Sequence, residues 1–424
     1  MNAGEPGLGI EAIAVHVPRH YLELNTLARA NAVDPAKYRD GLGGRRMAIA
    51  APGEDAVTLG FEAAAALLER YAIAPERIGL LLVGTESGVD GAKPIASYLH
   101  RLLGLRPDCR TFDTKHACYS GTAALRMAAD WFAVRGRASG RRALVVATDI
   151  ARYSVGSAGE PTQGAGAVAM LIGDAAACFR FDPHPEAVYT EEVMDFWRPH
   201  YRQAALVDGR TSIDSYLRAL SHTWSEYARS SGLGWDDYDH LLFHVPFPKM
   251  ATKAYRMLAE RFAPAAAAAA GQFEQRTGQA LWANRELGNC YSGSLYLGLA
   301  GLLERHAERS AGTRLGLFSY GSGCCAEFFS GRVGSDPAAW RDRIGISAGL
   351  LRRKELSYER YLCFRRSGEE LAREGSCGQG LGDEAGGQRL SFRGIRDHRR
   401  VYTPVAPPLP LVARASSARA QIGK

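Results

Sequence analysis

The sequence predicts an α/β protein built from two similar halves, and three observations support this fold class. Apolar, strand-like runs alternate with helix-like segments along most of the chain, which is typical of α/β architecture. The segment Cys-Tyr-Ser-Gly occurs twice, at 118–121 and 290–293. Each copy follows a strand with a polar end and precedes a helix and a further strand, so the order of elements indicates internal duplication.

The individual elements follow from local pattern. Helices are predicted from apolar spacing at 62–71 and 216–227. Strands are predicted from short apolar runs at 78–83, 143–147, 168–172, 240–243 and 315–319.

The two halves place polar residues at equivalent points. The strand 78–83 leads into Glu86, and the strand 240–243 leads into His244. Cys118 and Cys290 then follow at the start of a helix-like run. Because α/β sheets usually bind ligands where strand ends and helix starts meet, we expect these residues to surround a shared centre.

We expect four regions along the chain. The first half covers 1–181 and contains the nucleophile, and a Pro- and aromatic-rich connecting loop over the active site covers 182–213. The second half covers 214–412, and 413–424 is predicted to be a disordered tail. The alanine run 265–270 is predicted as a surface helix or loop, and 367–388 as an exposed loop.

Composition excludes several classes of protein. The chain has 424 residues, 46% hydrophobic and 23% charged, which is a soluble globular profile. We expect a cytoplasmic protein, because no apolar run reaches the ~18 residues of a membrane span and no signal peptide is visible. The eight cysteines show no C-x-x-C pair, so neither a zinc ribbon nor a redox motif is supported.

The formal net charge is +7. It fits a solvated charged surface or a surface that meets acidic partners or phosphorylated ligands. No aromatic and basic nucleic-acid platform is visible, so we expect no nucleic-acid partner.

Three residues have the chemistry of an acyl-transfer site. Cys118 precedes a helix, and the helix dipole predicts a lowered thiol pKa and a nucleophile. Glu86 at a strand end is a general acid or base if it is desolvated. Each residue alone has a structural alternative: a buried thiol for Cys118, a surface carboxylate for Glu86 and a satisfied core imidazole for His244.

Two glycine-rich segments complete the pattern. The turn after the strand 315–319, residues 318–323, could offer backbone N–H groups to an oxyanion. The segment 156–167 is predicted as a loop, and it lacks the context of a dinucleotide-binding fingerprint.

The motifs together resemble the 3-hydroxy-3-methylglutaryl (HMG) synthases of the thiolase superfamily. The resemblance rests on eight motifs in family order from about residue 8 to about residue 403: Thr85-Glu-Ser, Ala117-Cys-Tyr-Ser-Gly-Thr, Gly164-Ala-Gly-Ala-Val-Ala-Met-Leu-Ile, Asp195-Phe-Trp-Arg-Pro, Val207-Asp-Gly, Phe243-His-Val-Pro-Phe, Gly288-Asn-Cys-Tyr-Ser-Gly-Ser-Leu-Tyr and Phe318-Ser-Tyr-Gly-Ser-Gly. It implies a thiolase-like fold with two α/β halves in five αβαβα layers, and a homodimer.

The resemblance also implies roles. Cys118 would carry the acetyl group, Glu86 would be the base and acid, and His244 would position or protonate the acceptor. Substrate or phosphopantetheine contacts are implied for Asn289, Ser322, Asp195, Ser212, Thr162, Lys249, Lys253, Tyr153 and Gly321. One departure concerns Ser157, which stands where animal-type enzymes have Asn, in a loop one residue longer; it places coenzyme A binding there in doubt.

The motif forms are most similar to the bacterial polyketide β-branching HMG synthases. That branch implies donor and acceptor acyl carrier proteins as partners, with a phosphopantetheine arm, or coenzyme A, as substrate carrier. It implies no metal and no tightly bound cofactor. The alternatives are the mevalonate-pathway enzyme, which uses acetyl-CoA and acetoacetyl-CoA, and a non-catalytic thiolase-fold scaffold.

Overall fold

The computed structural model describes residues 7–202, 204–374 and 388–405. The strands are β1 Gly9–His16, β2 His20–Glu23, β3 Arg46–Ile49, β4 Ile78–Gly84, β5 Arg110–Thr114, β6 Arg142–Ala151, β7 Gly164–Gly173, β8 Phe179–Phe181, β9 Ala187–Thr190, β10 Phe196–Trp197, β11 Leu206–Val207, β12 His240–Phe243, β13 Arg314–Gly321, β14 Cys325–Val333, β15 Lys354–Glu355, β16 Leu390–Arg396 and β17 Arg399–Pro404.

The helices are α1 Leu24–Ala30, α2 Pro35–Arg39, α3 Ala56–Arg70, α4 Ile95–Leu102, α5 Ser120–Trp131, α6 Arg137–Ser139, α7 Gly209–Ser231, α8 Pro248–Phe262, α9 Pro264–Ala268, α10 Gln272–Arg276, α11 Trp282–Leu287, α12 Ser294–Arg305, α13 Ala307–Ser310, α14 Ile346–Leu351 and α15 Tyr358–Glu374. Within the described ranges, none of the helices is long and apolar enough to cross a membrane.

The main sheet repeats one pairing pattern in its two halves. Its strand order is β12-β13-β14-β8-β1-β7-β6-β4-β5, and β9 pairs with β14. In the first half β4 pairs in parallel with β6, which pairs antiparallel with β7. In the second half β12 pairs in parallel with β13, which pairs antiparallel with β14. The duplication expected from the sequence is therefore present in the strand pairing.

Helices cover both faces of both halves. α3 packs on the outer face of β1, β6 and β7, while α7 and α8 pack on the outer face of β9, β12, β13 and β14. α5 and α12 lie between the halves, against β4 and β6 and against β12 and β13. This arrangement agrees with the duplicated α/β fold predicted from the sequence and with the five layers that the family resemblance implies.

Side-chain alternation explains how the sheets are buried on both faces. In β6, Val145 joins the central core, whereas Leu144 and Val146 join the core under α3. In β13, Leu317 joins the central core, whereas Phe318 joins the core under α7. Neighbouring residues of a strand point to opposite faces, so near-continuous apolar strands suit a sheet between two helical layers.

Most predicted elements are confirmed. All five predicted strands are strands in the structure, and the two predicted helices fall in α3 and α7, apart from Tyr71, which caps α3. The alanine run enters the short helix α9.

Two loop predictions are wrong in part. The segment 156–167 is not all loop, because β7 begins at residue 164, where its small residues fit a strand with backbone on both sides. The segment 367–388 is not all loop either, since α15 continues to residue 374; 375–387 lie outside the described residues. The segment 182–213 contains β9, β10 and β11. The division of the chain into regions stays a prediction, and its tail, 413–424, also lies outside the described residues.

Candidate active site

The loop between β5 and α5 presents Cys118 at the centre of the molecule. Ala117 has a φ of +41°, a conformation that non-glycine residues rarely adopt. Tyr119 then begins the turn into α5. The backbone therefore turns sharply around Cys118, whose side chain is only partly buried.

Glu86 lies against the thiol. It follows β4, and its Oε1 accepts a hydrogen bond from the Sγ of Cys118 at 3.3 Å. Burial, followed by the charge of Asp149, raises the pKa of Glu86 to about 8. A carboxyl group with such a pKa is half-ionised near pH 8 and can both accept and return a proton.

The pKa of Cys118 differs from the sequence-based prediction. Burial, and then the neighbouring Glu86, raise it well above the usual value for a thiol. A helix N-terminus favours an anion by about 1 kcal/mol, which is too little to offset desolvation and a carboxylate at 3.3 Å. The prediction of a thiol acidified by the helix is therefore wrong. Glu86 is the group placed to take the proton.

Asp149, which the sequence analysis missed, holds the two halves together beneath this pair. Its Oδ1 accepts hydrogen bonds from the amide of Glu86 at 2.9 Å and the hydroxyl of Thr85 at 3.0 Å. Its Oδ2 accepts from the amide and hydroxyl of Ser292, in the second Cys-Tyr-Ser-Gly segment. Asp149 is fully buried, so it fixes the backbone of Glu86 to the other half. The sequence does contain one sign of this role, because Asp149 is a carboxylate within the mostly apolar strand β6.

Close backbone contacts at this junction require small residues. A Cβ on Gly84 would lie 2.6 Å from the Cα of Gly121, and one on Gly121 would lie 2.5 Å from the carbonyl oxygen of Ser292. The start of α5 thus touches both the end of β4 and the turn before α12. The small residues after Cys118 serve the close helix packing expected from the sequence.

His244 is buried and directly follows β12. Its amide donates to the carbonyl oxygen of Phe318 at 2.8 Å, and its carbonyl accepts from the hydroxyl of Tyr216 at 2.8 Å. Burial lowers the pKa of its imidazole to about 3. His244 is therefore neutral at physiological pH, and within the described residues its ring has no hydrogen-bond partner.

Asp195 organises the turn between β13 and β14. It is fully buried and accepts hydrogen bonds from the hydroxyl of Tyr320 at 2.8 Å and the amide of Gly323 at 2.9 Å. A Cβ on Gly321 would lie 2.4 Å from the carbonyl oxygen of His116. The turn, with Ser322 at its tip, therefore packs against the loop of Cys118.

Three further predicted residues, Tyr153, Thr162 and Asn289, lie at the loop before β7 and the turn before α12. Tyr153 is buried, and burial, followed by the charges of Cys118 and Glu86, raises its pKa. The amide of Asn289 donates to the carbonyl oxygen of Thr162 at 3.2 Å. Asn289 itself is buried, and its Oδ1 accepts from the amide of Tyr291 and the hydroxyl of Ser294, both at 2.8 Å.

The remaining predicted residues lie on the helices α7 and α8. Ser212 is in the first turn of α7, and Lys249 and Lys253 are exposed on α8. Arg198 is not among the predicted site residues, although it belongs to the motif Asp195-Phe-Trp-Arg-Pro. Its guanidinium donates a hydrogen bond to the carbonyl oxygen of Glu86. Within the described ranges, no cluster of three or more His, Cys, Asp or Glu side chains could hold a metal ion.

Comparison with known proteins identifies the family. The family model described as hydroxymethylglutaryl-coenzyme A synthase N terminal matches residues 5–177, and its C-terminal counterpart matches 179–268 and 261–369. The chain belongs to the HMG-CoA synthase family. It is an acyl-condensing enzyme of this thiolase-like group.

Relatives of this HMG synthase fall into two kinds. It is 40% identical to hydroxymethylglutaryl-CoA synthase of Enterococcus faecalis over 77% of this chain and 83% of the relative. It is 36% identical to the polyketide biosynthesis 3-hydroxy-3-methylglutaryl-ACP synthase PksG of Bacillus subtilis over 85% and 88%. The solved HMG synthase of the curacin biosynthetic pathway, in complex with holo donor-ACP, matches with a TM-score of 0.84 at 32% identity, over 94% of this chain and all of that one.

The second Cys-Tyr-Ser-Gly segment differs from the first in this HMG synthase. Cys290 is 2% exposed, and burial raises its pKa far above the usual value. The left-handed residue here is Tyr291, after the cysteine, whereas in the first segment it is Ala117, before the cysteine. The backbone therefore presents Cys118 and buries Cys290.

Proposed function

We propose that this HMG synthase condenses an acetyl group, held on Cys118, with the β-ketone of an acyl chain tethered to a carrier protein. Cys118 is the nucleophile, Glu86 the general base and acid, and His244 the acceptor-side group. The observation that carries the proposal is the 3.3 Å contact between the Cys118 thiol and the Glu86 carboxyl.

The first step is acetyl transfer. Glu86 takes the thiol proton, and the Cys118 thiolate attacks the donor thioester. The carbonyl oxygen becomes an oxyanion before the phosphopantetheine thiolate leaves and is protonated. The amide of Ser322 supports an oxyanion role for its turn, because no described residue accepts a hydrogen bond from it.

The second step forms the carbon–carbon bond. Glu86 removes a proton from the methyl group of acetyl-Cys118, and the resulting enolate attacks the β-ketone. The alkoxide that forms on the former ketone takes this proton back from the Glu86 carboxyl. A neutral His244 can hold the ketone oxygen through an N–H hydrogen bond, but it has no imidazolium proton to give at neutral pH. Positioning is therefore the better supported of its two roles. Water then hydrolyses the Cys118 thioester and frees the product.

The choice of carrier rests on similarity and charge. PksG and the curacin enzyme support a carrier protein, and a net charge of +7 with exposed Lys249 and Lys253 suits an acidic partner. The mevalonate-type enzyme, using acetyl-CoA and acetoacetyl-CoA, is the second candidate because of the 40% identity to the Enterococcus enzyme. A non-catalytic scaffold is disfavoured, because it would need no thiol in contact with a buried carboxyl.

The donor experiment separates the two candidates. Acetyl carrier protein should load Cys118 with a much higher kcat/KM than acetyl-CoA, and the rate should fall with added salt. Lys249→Glu and Lys253→Glu should slow loading by the carrier protein, whereas Lys354→Glu, at another exposed lysine, should not. Equal loading by both donors without salt dependence would favour the mevalonate-type enzyme.

The remaining proposals concern assembly and location. We propose a homodimer, because β5 is the edge strand of the sheet and the adjoining α5 leaves Met127 44% exposed. We also keep the regions 1–181, 182–213 and 214–412 as the proposed division. The described cysteines are all free, which agrees with a reducing, cytoplasmic location.

A further inference from the structure

A cavity of about 730 Å³ lies between the loop after β6 and helix α15. Its volume falls in the range of small-molecule sites. Its polar lining consists of three arginines, two glutamates and one serine, namely Arg152, Arg365, Arg366, Glu369, Glu370 and Ser154. None of these six residues was predicted to be part of the active site.

Arg152 is the feature of this cavity that needs a partner. It directly follows β6, its side chain is partly buried, and no described residue accepts a hydrogen bond from its guanidinium or forms an ion pair with it. Burial, and then the charge of Arg365, lower its pKa to about 10. Desolvated charges in proteins are normally paired, so an unpaired guanidinium in a cavity wall suits an anion from outside the chain.

The neighbouring arginines differ in how far they are already engaged. Arg365 donates to Gln163 Oε1 at 2.6 Å and to the carbonyl oxygen of Tyr153 at 2.7 Å, and it lies 3.8 Å from Glu369. Among the described residues, the guanidinium of Arg366 donates a hydrogen bond to the sulfur of Cys363 alone, at 3.3 Å. Arg152 and Arg366 thus remain for a ligand, and two cations suit a dianion better than a single negative charge.

We propose that this cavity binds a phosphate group, with the Arg152 guanidinium as its main ligand. The phosphate could be free inorganic phosphate or a phosphate of coenzyme A, which share the same recognition chemistry. The cavity adjoins Tyr153, a predicted substrate-contact residue, because Arg365 in the cavity wall donates to the backbone carbonyl oxygen of Tyr153. The inference does not depend on the identity of the acetyl donor or on any catalytic role.

Binding is tested on the full chain by calorimetry and thermal unfolding at constant ionic strength. Inorganic phosphate replacing chloride should bind the wild type and raise its Tm. Arg152→Met should weaken phosphate binding by about tenfold or more, the effect of losing hydrogen bonds from a charged donor. Arg152→Lys should keep part of the affinity, because it keeps the charge but loses the fork. Arg309→Met, which removes an exposed arginine elsewhere, should bind like the wild type.

A second titration identifies the source of the phosphate. If coenzyme A supplies it, inorganic phosphate should compete with coenzyme A, and Arg152→Met should weaken coenzyme A but not pantetheine. If free phosphate is the ligand, its affinity should be unchanged at saturating coenzyme A. Removing an unpaired charge should leave the fold intact, so Arg152→Met should unfold at or above the wild-type Tm without phosphate. Phosphate binding by Arg152→Met within twofold of the wild type, or no binding to the wild type, would overturn the proposal.

Discussion

The rate of carbon–carbon bond formation should rise with pH through a midpoint near 8. Burial, with the charge of Asp149 as the second cause, raises the pKa of Glu86 to about 8. In the proposed mechanism, only the carboxylate form of Glu86 removes the methyl proton of acetyl-Cys118. With this pKa about one eleventh of Glu86 is ionised at pH 7 and about ten elevenths at pH 9, so the rate should increase about tenfold.

The assay must isolate condensation from loading. Enzyme acetylated on Cys118 is mixed with excess acceptor thioester across pH 6 to about 9.5, quenched, and analysed by mass spectrometry for loss of the acetyl adduct and appearance of the condensed product. Asp149→Asn should move the midpoint to lower pH, because it removes a negative charge that raises the pKa of Glu86. Glu86→Gln should slow condensation by about 10²–10⁴-fold and abolish this pH dependence.

The reasoning is refuted by either of two results. A condensation rate that is constant from pH 6 to about 9, or one with a midpoint near the ordinary glutamate pKa of about 4.3, would show that burial does not control the base. A pH dependence that persists in Glu86→Gln would assign the titration to another group.

Three further predictions follow from the same contacts. Acetyl donor should add ~42 Da to Cys118, Cys118→Ala should abolish the adduct, and an adduct on buried Cys290 would contradict the assignment. Glu86→Gln should raise the free energy of unfolding by about 2 to 4 kcal/mol at pH 8. The reason is that the raised pKa of Glu86 lowers the stability of the folded state as pH rises from about 4.5 to about 8. Calorimetric scans should show little gain in stability at pH 5, and none at either pH for the control Glu76→Gln, since Glu76 is exposed. His244→Ala should load acetyl at near the wild-type rate but condense slowly, and an equal loss in both steps would remove its acceptor-side role.

The local pattern of apolar residues predicts most of the strands and helices of the fold. Strands such as β4 and β6 are apolar on both faces because helices cover both sides of the sheet, so they stand out as short continuous runs. The predicted loop 156–167 is wrong from residue 164, where β7 begins. Glycine and alanine are typical of loops, but they also occur in strands that lie close to other backbone segments. The sequence alone does not distinguish a loop from such a strand, because the backbone that packs against Gly164 comes from residues 287 and 289, far along the same chain.

The sequence predicts the residue types at the candidate site but not their pKa values, and the catalytic roles of these residues stay predictions. Cys118, Glu86 and His244 stand at recognisable strand ends and helix starts. Asp149 was missed because its partners, Glu86 and Ser292, are 63 and 143 residues away in the chain. The predicted direction of the Cys118 pKa shift is wrong for a related reason. The helix start is visible in the sequence, but the burial of the thiol and the Glu86 carboxyl at 3.3 Å are not.

The duplicated segments show how one pattern acquires two uses. Both contain Cys-Tyr-Ser-Gly before a central helix, so the likeness of the two segments to each other gives no reason to choose Cys118 over Cys290. The two segments differ in the backbone. The left-handed residue is Ala117, before Cys118, in the first segment and Tyr291, after Cys290, in the second, and the thiol of Cys118 is partly buried whereas that of Cys290 is buried. Ser292 of the second copy binds Asp149, which in turn binds the amide of Glu86. The second copy therefore supports the base of the first, and a substitution such as Ser292→Ala should impair condensation while leaving the thiol of Cys118 in place.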